Sequence, residues 1–410
     1  MSRWRGLGIE HLFGGAAIAA APVSVYAPAG MTVVASLAGV GAILALWRGG
    51  RLADLWRNPF APLFALLMVW GTVSFKWALH PEDTLSLARS LILLFIVILA
   101  LVAAARGLDE AARRRLGILV TAAVALGVLL LAIEEASGVW LSRMLHEWQH
   151  GNMVVSGGVL DRGLTVTVLL GFVAAIGLAR RGWLLPGFAA MFPALLVSFF
   201  ANSHSARIAA AVGIGIFILV WFAGPWLVRG LGILAGVFVL IMPMLPFGPL
   251  SPMLLKPLLT GVKYSALHRL YIWEFTAHRI ADHPLAGWGL NSARTIPGGD
   301  QVAPGGGELL ALHPHNGALQ VWLELGLPGA ILFAALLWLI FAAIARLEDR
   351  FARAAAAGLA VAALGIACLS FGIWQNWWVS SLGFAAALAA GVSGPAKIPP
   401  GPYAGDRLAL

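Results

Sequence analysis

Twelve apolar stretches, each about long enough to cross a bilayer, follow one another along this chain. They lie at 11–28, 31–47, 60–76, 86–104, 116–134, 163–179, 184–199, 208–222, 230–246, 327–345, 354–371 and 378–393. A helix needs about 20 predominantly apolar residues to span the hydrocarbon layer. A chain built mostly of such stretches is expected to be all-α, a polytopic transmembrane helical bundle of about 12 spans. Composition agrees, with 60% of the 410 residues hydrophobic and 11% charged. Soluble domains are about a quarter charged, so two soluble domains of the same total length are excluded. Arg3 and Arg5 precede the first stretch as they would precede a secretory signal. Many further apolar segments follow, so an uncleaved first span is expected.

Charge tests the count. With the N-terminus inside and sides alternating, 17 of the 27 Lys and Arg residues fall in inside segments. Arg113, Arg114, Arg115, Arg180 and Arg181 are among them. Nine fall in the longer outside segments, and Arg89 falls within the fourth span. The net charge of +9 is thus read as the positive-inside rule rather than as nucleic-acid binding. A bacterial inner membrane location follows as an expectation, with both termini cytoplasmic. Residues 1–246 hold spans one to nine, 247–326 form one large periplasmic loop containing short helices, and 327–410 hold the last three spans and a tail. A second outside loop covers 135–162, and no inside loop is comparable, so the functional surface is expected to face outward.

Within the large loop, 264–281 reads as an amphipathic helix with Leu270, Trp273, Ala277 and Ile280 on one stripe, stopped by Pro284. Residues 297–307, PGGDQVAPGGG, are too glycine-rich for regular structure and read as a flap or a tether. The single cysteine, Cys368, permits no intrachain disulfide and reads as a small buried apolar residue. The pairs Glu82-Asp83 and Glu134-Glu135 lack the Asp-x-Asp spacing of a metal–nucleotide sugar site, so no metal and no cofactor are expected. Trp374, Trp377 and Trp378 read as an interfacial aromatic belt.

The stretch His313-Pro314-His315-Asn316 carries the most chemistry. Asn316 can cap a short helix over 317–325 that Gly326 ends, and Pro328 suits the first turn of the tenth span. His315 then stands just before a helix N-terminus, whose positive end binds anions and disfavours imidazolium. A neutral histidine beside an anion is what a general base requires; on residue type alone, a histidine that merely caps a loop fits as well. Arg207 begins the eighth span, where a cation opposes the helix dipole. Diphosphate binding would explain it, and so would a snorkelling interfacial arginine. Arg89, a charge inside a span, points toward a cavity.

The spacing His315, Asn316, nine residues, Gly326, two residues, Gly329 resembles the motif of the O-antigen ligase and polymerase family of bacterial envelope glycosyltransferases. Ala330 stands where that motif has Gly, Thr or Tyr. The segment Asp282-His283-Pro284-Leu285-Ala286-Gly287-Trp288-Gly289 also resembles the family, and the likeness covers roughly 195–345. It implies an O-antigen ligase-like enzyme. Such an enzyme moves a glycan from an undecaprenyl diphosphate carrier to lipid A–core in the periplasm, inverting and without metal. Arg207 and Arg269 resemble the family's functional arginines, which would hold the diphosphate, with Arg89 as a third candidate and His315 as base. Asn316, His313 and Glu324 are supporting candidates, the last either orienting a cation or solvating one side of its helix; His204 and His283 are expected to serve their loops. An O-antigen or exopolysaccharide polymerase is the alternative within the family. A transporter or lipid flippase is the alternative outside it, although no internal duplication is evident and the polar residues gather at one face.

Overall fold

All twelve apolar stretches fall on helices in the computed structural model, which describes residues 8–150, 157–201, 203–259 and 264–394. The helices are α1 (Ile9–Tyr26), α2 (Met31–Arg48), α3 (Ala61–Val73), α4 (Pro81–Arg106), α5 (Glu110–Ala136), α6 (Trp140–His150), α7 (Asp161–Ala179) and α8 (Leu184–Ala189). There follow α9 (Pro193–Phe200), α10 (His204–Ala223), α11 (Pro225–Ile241), α12 (Pro252–Leu255), α13 (Tyr264–Asp282), α14 (Gly317–Ala345), α15 (Arg350–Leu369) and α16 (Asn376–Ser393). Among the described residues, nine helices, three of them together with an adjoining 3₁₀ turn, are long and apolar enough to cross a membrane: α1, α2 from Pro28, α4, α5, α7 from Gly158, α10, α11 through Phe247, α14 and α15. The stretches 61–76 and 184–200 are shorter, and α16 has 18 residues. The seventh stretch is not one rod. It breaks between α8 and α9, where Pro193 opens the second piece, because proline is accommodated in a first turn and not in mid-helix. Arg3, Arg5, Lys397 and Arg407 lie outside the described residues.

At the centre is α7, buried at every position from Gly163 to Leu178. A helix apolar all round has no face to give to water or headgroups and belongs inside a bundle. Around it pack α1, α5, α15 and α16. The pairs α10 with α15 and α11 with α14 make the most extensive crossings. At the first, a Cβ on Gly358 would lie 2.6 Å from the Gly213 carbonyl oxygen. Small residues let backbones approach in this way where lipid offers no hydrophobic drive between helices.

The end of the bundle with short loops is tied by arginines on backbone carbonyls. Arg113 donates to the carbonyls of Ala390, Gly391 and Arg106, Arg180 to that of Ser393 and Arg353 to that of Leu347. Arg113 and Arg180 satisfy C-terminal carbonyls that a helix itself leaves open, with the sign of charge the dipole favours, and Arg353 ties the turn just after α14.

The other, loop end shows four features that the sequence does not describe, of which α6 and the buried tryptophans depart from expectation. Residues 140–150 form α6, unanticipated in the 135–162 loop. The glycine-rich 297–307 segment has no helix but is closed on itself: Ala303 N donates to Gly307 O, Leu309 N to Gln301 O and Leu310 N to Gly299 O. His268 Nε2 lies 2.8 Å from Glu308 O and ties the segment to α13. Trp374, Trp377 and Trp378 are buried rather than an interfacial belt, because the chain from α15 to α16 folds into the bundle and Arg162 stacks over Trp377. Glu134 is also buried, accepting from Tyr26 Oη and Ser142 N, whereas Glu82 and Asp83 are exposed in the first turn of α4. The helix expected over 264–281 is α13, with Leu270, Trp273, Ala277 and Ile280 all buried. Cys368 is buried in α15.

Candidate functional site

Asn316 begins α14 in an extended conformation, its Oδ1 accepting from Ala318 N and Leu319 N, both at 3.1 Å. The residue before it, His315, has φ +52. A left-handed backbone costs a non-glycine residue about 1–2 kcal/mol, so it persists only where neighbours over-determine it. Three contacts do so. His315 N donates to His313 Nδ1 at 3.2 Å. Trp273 Nε1, from α13, donates to Pro314 O at 2.9 Å. His315 Nδ1 lies 2.6 Å from the carbonyl oxygen of Ser370, at the end of α15. Ser370 Oγ in turn is 3.2 Å from Ser205 Oγ in the first turn of α10. Ends of α10, α14 and α15 and the flank of α13 therefore meet at this histidine.

That contact fixes the tautomer. A carbonyl oxygen only accepts, so Nδ1 carries the proton and neutral His315 presents Nε2 as a lone pair. Burial pushes the His315 pKa down from its ordinary value, with Arg269 and His268 adding to the effect and the Ser370 bond opposing it. Burial likewise pushes His313 down to about 3, helped by His315, Arg294 and Arg269. The two rings touch, with centroids 4.4 Å apart. Both imidazoles are uncharged at neutral pH because burial disfavours the charged form and cations stand nearby.

Arg269 sits on α13. Its Nη1 donates to Ser265 O at 3.1 Å, while Nε is buried with no partner. Burial lowers its pKa and the Asp161 carboxylate opposes that shift, yet a guanidinium stays charged in proteins. The Ser203 side chain and the Arg269 charge both act on the Asp161 carboxylate, so the orphan atom here is Arg269 Nε. Polar atoms left unpaired in a buried setting call for an explanation such as a ligand or solvent.

The structure thus brings together His315, His313, Asn316 and Arg269. Arg207 stands near them on the first turn of α10, but its guanidinium turns toward α9. Nη2 donates to Ser198 O at 2.7 Å and Phe199 O at 3.3 Å, and the group stacks over the Phe199 ring. That explains a cation at the start of α10, since it serves the carbonyl end of α9; Nε remains buried and unpaired. Arg89 is set apart, exposed on α4 and bonded to its own helix through Leu85 O. His283 packs against Trp288 within its loop. Among the described residues, no three His, Cys, Asp or Glu side chains are grouped as metal ligands.

Glu324 does not solvate a helix face. It is fully buried, accepting from Asn291 N at 2.7 Å and from Gln320 Nε2 at 3.0 Å. Gln320 Oε1 accepts from Ile373 N. The pair joins the 291 loop to the chain that follows Ser370. Two residues on, Gly326 breaks α14 with φ 61 and ψ −158. The carbonyls left open there are all taken: Leu323 O by Trp288 N, Glu324 O by Gly289 N, and Leu325 O by Trp70 Nε1. Leu327 N, freed by the break, donates to Pro284 O. The segment 282–289 is therefore the dock for the break in α14. Ala330 is fully buried just beyond it.

Asp161, Ser205, Arg294 and Ser370 join the site without having been singled out from sequence. Asp161-Arg162, a charged pair opening an apolar run, was the only trace of the first; Ser370 acts through a backbone carbonyl, which no residue type announces.

Residues 189–334 match the family model described as O-antigen ligase, a range that includes Arg207, Arg269, His315 and Gly326. Two relatives carry the provisional name polysaccharide ligase. The one from Rickettsia conorii is 28% identical over 320 residues, covering 77% of this chain and 75% of its own. The one from Rickettsia prowazekii is 28% identical over 325 residues, covering 77% of this chain and 76% of its own. With its bundle of apolar helices, this chain is a membrane protein similar to the O-antigen ligase family, and the likeness supports a glycan-handling enzyme of the ligase or polymerase type.

Proposed function

We propose that this enzyme moves a glycan from undecaprenyl diphosphate to lipid A–core at the periplasmic face of the inner membrane, by direct, metal-independent, inverting transfer. Arg269 holds the carrier's diphosphate, and Arg207 joins it by turning from the α9 carbonyls that it serves without substrate. His315 Nε2 takes the proton of an acceptor hydroxyl. The hydroxyl oxygen forms its bond to the anomeric carbon as the bond from that carbon to the diphosphate oxygen breaks. The electron pair leaves with the diphosphate, whose charge the guanidinium stabilises, and the proton departs from His315 to solvent. The carrier supplies the driving force.

The observation that carries this reading is the bond from His315 Nδ1 to Ser370 O. It spends the donor side of the ring on the protein and leaves a neutral acceptor near a half-buried arginine. General bases contribute about 10²–10⁴-fold. His315→Ala is expected to lower transfer by at least that factor, measured with purified carrier-linked glycan and lipid A–core, with thermal stability retained. Wild-type rates in the variant would remove His315 from this role. The acceptor is tested separately by the lipopolysaccharide pattern of a deletion strain. Loss of all long chains on the core is expected, while a core bearing a single repeat would assign the chain as a polymerase.

A further inference from the structure

Between α11 and α13 the chain runs MPMLPFGPLSPMLLKPLL over residues 242–259. It adds a 3₁₀ turn at Met242–Phe247, α12, and a second 3₁₀ turn at Lys256–Leu259. Only Ser251 and Lys256 are polar; Met242, Leu245, Leu250, Leu255 and Leu259 pack against the protein, while five other large side chains stand clear of it. Met253 is 90% exposed, Leu258 75%, Met244 71%, Leu254 59% and Phe247 53%. An apolar patch of this kind requires a partner. The patch continues directly from the exposed side of α11, through Leu234, Val237 and Ile241, and exposed apolar residues on a membrane-spanning helix face lipid.

The backbone fits the same partner. Irregular chain is costly in an apolar layer because each unpaired N–H goes unsatisfied. Five of these eighteen residues are prolines, at 243, 246, 249, 252 and 257, and have no N–H to desolvate. Gly248 and Leu250 donate to Leu245 O, Ser251 to Gly248 O, and Leu254 and Leu255 to Ser251 O. Such a segment is too short and too broken to span, and is built to lie in the plane of the interface.

We propose that residues 242–259 form a shelf immersed in the interfacial layer of the leaflet at the loop end, with bilayer lipid as its partner. α13 packs on the first turn of this shelf, so the shelf fixes the height of that helix, and of Arg269 on it, relative to the headgroups.

The test uses the full chain in proteoliposomes with spin labels at Met253→Cys and, separately, Leu258→Cys. Cys368 is buried and serves as the unlabelled background, checked by label stoichiometry. Leu234→Cys provides the lipid reference and Val302→Cys, in the glycine-rich segment, the solvent reference. Relaxation by oxygen is compared with relaxation by a water-soluble nickel chelate. Labels at 253 and 258 are expected to fall between positions 234 and 302, as an interfacial depth requires, and to favour oxygen severalfold more than position 302 does. Nickel accessibility equal to that at 302 would overturn the proposal. Protection from both reagents would also overturn it, because a second copy of the chain or another protein would then cover the patch. Both labelled positions are exposed, so a folding defect at one leaves the other to decide.

Discussion

His315 is kept neutral by its surroundings, so the pH at which transfer fails reports on them. If Nε2 is the base, kcat/KM requires the unprotonated ring and falls on the acid side of its pKa. Burial and Arg269 both push that pKa down, so the acid limb is expected below the ordinary histidine range of about 6.5. Arg269→Gln removes one of the downward influences, so the limb should move to higher pH, in addition to any loss of donor binding. A pH profile in which the variant's limb stays in place would show that Arg269 does not act on the base. His313 gives a stability counterpart. Its folded pKa is about 3 while the unfolded chain titrates near 6.5, so between these values the unfolded state binds more protons. Stability is therefore expected to fall as pH drops through that window, and less so in His313→Asn. Residue type left His315 open between a base and a loop cap; the resemblance to the O-antigen ligase motif singled out His315 and Arg269, with His313 as a neighbour in sequence. Neither could point to Asp161, 108 positions before Arg269, nor to a carbonyl at Ser370.

At the scale of elements, the informative feature is the interruption of α14. Gly326 and Pro328 announce it in sequence, since one permits left-handed backbone and the other lacks an N–H. What sequence does not convey is that 282–289 supplies the missing hydrogen-bond partners. Gly287 and Gly326 are interleaved so closely that a Cβ on Gly326 would lie 2.4 Å from Leu285 O, and one on Gly287 2.5 Å from the Glu324 carbonyl carbon. Both have positive φ. Gly326→Ala and Gly287→Ala are each expected to lose more than the roughly 1–2 kcal/mol of left-handed strain, because the clash adds to it. The readout is the thermal midpoint in detergent. Gly215→Ala in α10, where a Cβ meets nothing within 4 Å, should hold or raise the midpoint. Equal midpoints in all three variants would mean that the docked segment is not a structural support for the site. The same reasoning explains why the seventh stretch was readable as apolar but not as two pieces: hydropathy averages over Pro193, whereas backbone hydrogen bonding does not.

For the whole molecule, the remaining question is which way the bundle sits, and it is tied to the count of crossings. Apolar length marks nine helices among the described residues as long enough to cross, because a long apolar helix has few other places to be. It is least decisive for the stretch 61–76, for α8 with α9, and for α16, and each omitted crossing would invert every loop beyond it. The arginines at the short-loop end do not settle the matter by number alone, since Arg113, Arg180 and Arg353 are also fixed by backbone carbonyls. Single cysteines bracket the doubtful helices against the silent Cys368. With a membrane-impermeant maleimide on intact spheroplasts, Glu82→Cys and Asp300→Cys are expected to label, and Arg57→Cys and Trp183→Cys only after permeabilisation. Residues 57 and 82 lie on either side of the 61–76 stretch. Residues 183 and 300 are separated by α8–α9, α10 and α11. A reporter at the C-terminus, three crossings beyond Asp300, should be cytoplasmic. Labelling of 57 and 82 on the same side would remove the third stretch as a crossing, and labelling of 183 and 300 on the same side would remove α8–α9. Exclusion of reagent from Asp300 would place His315 inside the cell, where a carrier diphosphate on the outer face is beyond its reach.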